Sequence, residues 1–373
     1  MSAQLPLISI VIPAYQAEAT LERAVRSALQ ISFVPIEVII VDDGSTDNTA
    51  RVAEGLANDD TRIRVLRKRN GGRSAARNFG IEQSRGTWIM FIDADDYLLS
   101  GCSRVLAQVL NHSDDIGLAI FGMIVQGDRQ LFTAEMPDPD SSRTKRGAST
   151  VHASALCEGM IDGEWQQLVK HPENFEIDTC WARLYRRNTL SELSGALPHE
   201  WSPFPTGVRF SEDRLLNLAY IKYIGNGTIH FEAEPIYCWD FGESSTAAVI
   251  NSKDADDLYI YRIRLHQLVD AKLLSSEEAS CIFGAQAIEQ FRRVIVAYRT
   301  VSMKDIVLVW QNVLDNESKE DLLETPAKYL GNGCIWRSAA RLLSTGHVRM
   351  AVTLYRLAFI AKSSMNCIYR FHK

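Results

Sequence analysis

No apolar run in the sequence reaches the roughly 18 to 20 residues that cross a bilayer. No basic-then-apolar leader opens it either, because Leu5 to Ile12 is short and passes directly into a strand pattern. The seven cysteines, at 102, 157, 180, 238, 281, 334 and 367, show no close pairing and no metal-ligand spacing. Reduced thiols in a cytoplasmic protein are therefore expected. An early glycine-rich loop carrying a phosphate-binding Lys or Arg is also missing. Acid is absent from one end: Pro326 to Lys373 holds eight Lys or Arg and no Asp or Glu, so the rest of a chain of net charge −6 carries −14. A basic tail on an acidic body suggests contact with an anionic membrane face, and a solvated helical face is the alternative. Nucleic acid is not among the expected partners.

What is present is a chain of 373 residues with 46% hydrophobic content, enough for one large core or two ordinary ones. Leu7 to Ile12 is a β-rich run closed by Pro13, and Leu21, Ala24, Val25, Ala28 and Leu29 then recur on one helical face. Ile36 to Val41 is apolar almost throughout, as a strand of a parallel sheet covered on both faces must be, and it runs into Asp42 to Asp47. Arg62 to Leu66 reads as a third strand, Asn70-Gly71-Gly72 as a loop, and Ser74 to Gln83 as a helix. Thr87 to Ile92 is a fourth strand and delivers Asp93, Asp95 and Asp96. Alternating strands and helices predict an α/β fold with a doubly wound, mostly parallel sheet of Rossmann-like type.

Three loops should then meet at one sheet edge: Pro13-Ala14-Tyr15, Asp42 to Asp47, and Asp93 to Asp96. Open α/β sheets bind ligands at that edge, and clustered carboxylates there suit a hard divalent cation that holds phosphate oxygens. Tyr15 can stack on a base and Asp43 can accept a base N–H. Each feature also has a plain explanation, as loop packing, turn chemistry or an acidic helix cap.

Taken in order, SIVIPAY, VIIVDDGSTDNT, NGGRSAARNFG and GTWIMFIDADD resemble the nucleotide-binding half of family-2 inverting glycosyltransferases of the GT-A fold, over about the first hundred residues. The resemblance implies that Asp43 binds the base imide, with Pro13, Tyr15, Arg73 and Ala94 also lining the donor site. Asp93 and Asp95 become the D-x-D pair, with Asp93 toward the ribose and Asp95 on Mn²⁺ or Mg²⁺; both enter the expected metal site. Asp96 has either a metal or an orienting role. Arg77-Asn78 matches the A-R-N signature, read as shaping the pocket. Cys180 to Arg187 resembles a W-x-K-L-Y segment of bacterial members that build surface polysaccharides, with Arg183 in place of the usual Lys. Glu212-Asp213 matches the E-D motif, which makes Asp213 the general base and Glu212 its neighbour.

The expected activity is transfer of a sugar from a nucleotide-diphosphate sugar, UDP being favoured, to a hydroxyl of a glycan or lipid-linked acceptor. A nucleotidyltransferase and a non-catalytic sugar-nucleotide-binding module are the rivals. Residues 1–250 are read as the catalytic domain, with 1–110 the donor half and 111–250 the acceptor half, in which Gln126 to Thr150 is a loop or lid. Residues 251–373 are read as a helical appendage with apolar stripes at Leu258, Tyr261, Ile263, Leu265 and at Ala287, Ile288, Phe291, Ile295. Its Val348 to Ile360 stretch suits peripheral contact with the inner face of the cell membrane, a buried helix or a homo-oligomer contact.

Overall fold

The structure is a computed structural model and describes residues 7–111, 115–127, 148–162, 165–170, 175–241 and 254–297, with isolated positions between 341 and 353. It forms two compact units, one of Met1–Met160, Glu164–Thr206 and Phe210–Glu243, the other of Ile161–Gly163, Gly207–Arg209 and Ser244–Lys373.

The first unit opens with β1 (Ile8–Ala14), α1 (Leu21–Leu29), β2 (Ile36–Asp42), α2 (Thr49–Asp59), β3 (Ile63–Arg67), α3 (Arg73–Gln83) and β4 (Trp88–Phe91). These four strands pair in parallel in the order β3-β2-β1-β4. All seven residues of β2 are buried, which is why it reads as unbroken apolar sequence. Because β2 and β3 lie on one side of β1 and β4 on the other, the chain reverses its winding at β1, and the crevice beyond the carboxyl ends of β1 and β4 is the topological switch point.

After β4 come β5 (Tyr97–Leu98), α4 (Cys102–Leu110), β6 (Ile116–Gly127), β7 (Ala148–His152), α5 (Ala153–Asp162), β8 (Arg183–Arg186), α6 (Arg187–Ala196), α7 (Glu212–Ile224) and β9 (Thr228–Phe241). Here β8 joins β4 and β6 antiparallel, β9 lies parallel to β6, and β5 and β7 flank β9 antiparallel. The sheet is parallel where the sequence alternates strand and helix, and mixed beyond.

Pro13 does not close β1, which continues through Ala14 in register with Asp42. Val11 turns its carbonyl toward β4, accepting from Ile92 N at 3.2 Å, and Pro13, two residues on, faces the same side. The β1 to β4 ladder has already ended at Val11 and Phe91, so the missing N–H of proline leaves no acceptor unserved. The expected loop from Gln126 to Thr150 also loses both its ends: Gln126 and Gly127 complete β6, and Ala148 begins β7. The rest of it, 128–147, lies outside the described residues.

One buried acid sets the opposite edge of the parallel strands. Glu37, on β2, accepts Ser9 Oγ and Arg85 N, both at 2.6 Å, and pairs with Arg64 at 3.0 Å. Burial alone would raise its pKa, but these donors outweigh burial and leave the carboxyl below its ordinary value. A depressed pKa means stability present above the unfolded value and lost as pH falls through the folded one. Glu37→Gln should therefore cost about 1–3 kcal/mol at pH 7, read by urea denaturation, and the difference from wild type should shrink as pH drops below about 4.5. An undiminished difference at pH 3 would mean that the charge plays no part.

The second unit contains α8 (Asp254–Asp270) and α9 (Ser276–Ala297). On α8 the buried stripe is Leu258, Tyr261, Leu265 and Leu268, while Ile263 is 37% exposed. Ile263 lies two residues beyond Tyr261, about 200° around the helix, so it cannot share that face. Ala287 is buried on α9, and the side chains expected to continue its stripe lie outside the described set. So does most of Val348 to Ile360. Among the described residues no helix is long and apolar enough to cross a membrane.

Candidate active site

The loops after β1, β2 and β4 converge because those strands are parallel neighbours. The first two are interlocked. Asp43 N donates to Ala14 O at 2.9 Å, Gln16 N to Ser45 Oγ at 3.1 Å, and Gln16 Oε1 accepts Thr46 N at 2.7 Å. Glu18 Oε2 accepts Asn48 N at 2.8 Å. Gly44 permits the turn at φ +77°, where a Cβ would meet Asn70 N at 2.8 Å. Tyr15, 53% exposed, stands free on this floor, with the half-buried Pro13 beside it at the end of β1.

Asp43 is almost wholly enclosed. Its Oδ1 accepts Lys68 Nζ at 2.6 Å and Gly71 N at 3.0 Å, and its Oδ2 accepts Gly72 N at 2.8 Å. It thereby clamps the loop that leads into α3. Lys68, which sequence reasoning did not single out, carries no motif signal.

The centre of the site is Arg77, one turn into α3 and only 1% exposed. Its guanidinium pairs with Asp93 at 2.7 Å, Asp213 at 2.8 Å and Glu212 at 3.2 Å, and it lies over the Phe204 ring at 5.3 Å. Burial would lower its pKa, yet Asp213 above all, with Asp93 and Glu212, holds it well above the ordinary guanidinium value. Arg73, at the start of the same helix, also pairs with Glu212. The neighbouring Asn78 pins the 201–204 loop, donating to Phe204 O and accepting Phe204 N, both at 2.9 Å. In the A-R-N sequence, then, arginine joins the acids and asparagine fixes the ring beneath it.

Glu212 and Asp213 open α7, where the positive end of the helix dipole favours acid. Burial pushes the Glu212 carboxyl upward, against the pull of Arg73 and Arg77. Asp213 is more accessible, with its side chain 15% exposed. Its Oδ1 meets Arg77 and its Oδ2 accepts Cys180 N at 3.2 Å.

The D-x-D turn is held from below. Tyr237 Oη, on β9, accepts Asp93 N at 3.2 Å and donates to Asp96 Oδ2 at 2.5 Å, while Asp240 N donates to Asp96 Oδ1 at 2.9 Å. Asp96 is 1% exposed and serves as the pin between this turn and β9. Trp181 stacks on Tyr237 at 4.8 Å and 7°, and Trp239 lies 5.9 Å from Trp181. Ala94 is buried, and Arg23 from α1 donates to Asp95 O and pairs with Asp240. Arg183 is fully buried and donates to Glu176 O at 2.5 Å.

Asp95 and Asp96 are both pushed upward by burial and by neighbouring acids, and for Asp95 the charge of Arg23 offsets this only in part. Burial, then the charge of Asp93 and more weakly that of Asp240, push Asp95 up to about 6. A divalent cation would supply counter-charge there. Among the described residues no group of three or more His, Cys, Asp or Glu is arranged for a metal. Two carboxylates are enough for Mg²⁺ or Mn²⁺ when diphosphate and water oxygens complete the shell, so Asp93 and Asp95 fit such an ion.

A parallel α/β half joined to a mixed sheet, with an acidic turn at the switch point tied through a buried arginine to a second acidic pair, defines a GT-A-type domain. Residues 9–192 match the model of the family described as Glycosyl transferase family 2, and the domain they form is of that family. It is 31% identical to "Uncharacterized glycosyltransferase EpsJ" of Bacillus subtilis over 269 residues, 71% of this chain and 64% of that one. It is 35% identical over 195 residues to the "GalNAc(5)-diNAcBac-PP-undecaprenol beta-1,3-glucosyltransferase" of Campylobacter jejuni, 50% of this chain and 62% of that one. The chain thus spans less than two thirds of either relative. Among solved structures, S. aureus TarS 1-349 in complex with UDP-GlcNAc superposes with a TM-score of 0.64 at 18% identity, covering 94% of this chain and 92% of that one.

Proposed function

We propose that the chain is a metal-dependent inverting glycosyltransferase that moves a sugar from a UDP-sugar to a hydroxyl of a glycan or lipid-linked acceptor. The observation that carries this reading is the single guanidinium of Arg77 holding the D-x-D turn and the E-D pair against one another at the sheet edge. The UDP-GlcNAc bound in the TarS structure and the undecaprenol-linked substrate in the name of the Campylobacter relative support the donor and acceptor classes. A lipid-linked acceptor would bring the enzyme to the inner face of the cell membrane.

In this reading Tyr15 and Asp43 take the base, Asp93 the ribose, and Asp93 with Asp95 a Mn²⁺ or Mg²⁺. When bound, the cation neutralises charge on the departing diphosphate. Asp213 accepts the proton of the acceptor hydroxyl as its oxygen bonds to the anomeric carbon. The bond from that carbon to the phosphate oxygen breaks, its electron pair leaves with the nucleoside diphosphate, and one displacement inverts the centre. Each Asp213 oxygen has two acceptor positions and only one is used by Arg77 or Cys180, so a site for the proton remains. Glu212, buried behind Arg73 and Arg77, is the neighbour that fixes them.

A thermal-shift panel of UDP, GDP and CDP with and without Mn²⁺ tests the binding half. UDP with Mn²⁺ should stabilise most, by about 2.7 kcal/mol at a hundred times Kd. A preference for GDP or CDP overturns the choice of base, and no response to any nucleotide overturns the reading.

A further inference from the structure

Asn217 stands four residues after Asp213, one turn along the same face of α7. It is fully buried, and its side chain is spent on one neighbouring segment and one tyrosine. Nδ2 donates to Thr179 O at 2.8 Å and to Ile177 O at 3.2 Å, while Oδ1 accepts Tyr185 Oη at 2.6 Å. Residues 177–180 belong to neither helix nor strand, so these carbonyls have no ladder to satisfy them. The amide of Asn217 takes that place and fastens the segment to α7. The segment then turns the N–H of Cys180 onto Asp213 Oδ2.

Backbone conformation marks both sides of this contact. Ser211, just before α7, sits at φ +64°, and Ala182, two residues after Cys180, at φ +54°. Residues with a Cβ hold left-handed conformations when the surroundings over-determine them, and such positions cluster at functional sites.

A carboxylate turns about a broad two-fold torsion. Arg77 grips Oδ1 alone, so a second fixed donor on Oδ2 is what sets the carboxylate plane. We propose that Asn217 is a positioning residue for the transfer step, which stapling of 177–180 to α7 allows: through Cys180 N–H it holds Asp213 in the orientation that receives the acceptor proton. This rests on Asp213 being the base. The segment continues into Trp181, stacked on the tyrosine beneath the D-x-D turn, so the same staple reaches the donor side. The charged and titratable groups around Asp213 are Arg73 and Arg77 from α3, Glu212 beside it, Asp93 from the β4 turn, the Cys180 thiol and the Tyr185 hydroxyl from β8.

The test uses the full chain with Mn²⁺ and measures UDP release from UDP-glucose, UDP-galactose and UDP-GlcNAc, together with UDP affinity by calorimetry. For Asn217→Ala, kcat should fall about 30- to 100-fold, the scale of a catalytic group displaced by an ångström. KM and UDP affinity should stay within two-fold. Tyr185→Phe, which frees only the anchor of the Asn217 amide, should show the same split at about 3- to 10-fold. Turnover that depends on Asp213 but is unchanged in both variants overturns the proposal alone. So does a parallel loss of kcat and UDP affinity, which would mark a merely structural asparagine. A wild type that binds UDP and releases it from none of the three sugars overturns the transferase reading, and the proposal with it.

Discussion

Asp213→Asn should lower UDP release about 10³-fold, within the 10²- to 10⁴-fold range that a positioned base contributes, while UDP affinity stays within a factor of two. The substitution keeps an oxygen for Arg77 but turns the atom facing Cys180 N from acceptor to donor, so it removes the proton acceptor and loosens what remains. The donor turn is spared, because Asp93 and Asp95 are held by Arg77, Tyr237 and Arg23 rather than by Asp213. Turnover in the Asn protein near the wild-type rate would remove Asp213 from the role of base. Loss of UDP binding together with turnover would show that the two halves of the site cannot be separated by this change.

Arg77→Met should be the most destabilising single change in the site, by about 3–5 kcal/mol, the cost of taking one partner from a buried ion pair. It leaves Asp93, Glu212 and Asp213 with Arg73 as the remaining guanidinium, and Arg73 pairs with Glu212. At about 2–4 °C per kcal/mol for a domain of this size the melting temperature should drop by roughly 6–20 °C. Arg77→Lys should recover little, because a compact ammonium cannot reach Asp93 with one nitrogen and the E-D pair with another. Native stability and turnover in the Lys protein would show that bridging is not what Arg77 is for.

The parallel half of the fold was legible because strands covered on both faces carry their burial in composition: Ile36–Asp42 is apolar until its terminal acid and buried throughout. The edge at which Pro13, Asp43 and Asp93 gather follows from parallel strands, which alternating strand and helix signals predict; their order β3-β2-β1-β4 is seen only in the structure. Arg77 was visible as a motif, but its three partners were not, since two of them lie 135 and 136 residues away. Lys68, Tyr237 and Asn217 escaped for a related reason. Each acts on a backbone group or on a carboxylate already assigned elsewhere, and the identity of a residue says nothing about which distant amide it will meet. The misplaced Ile263 is a periodicity error of 200°, and the extension of β1 through Pro13 depends on where a neighbouring ladder stops.

The span of those Arg77 contacts also says something about the birth of the protein. Helix α3 leaves the ribosome with its arginine long before residue 212 has been made, and at about 5–20 residues per second the interval is several seconds or more. During it the first four strands can form while the Arg77 guanidinium has Asp93 and neither member of the E-D pair. A chain interrupted in that interval lacks the E-D pair that neutralises Arg77, and should be a ready target for proteolysis. The contact that makes the site thus forms only once synthesis has reached α7.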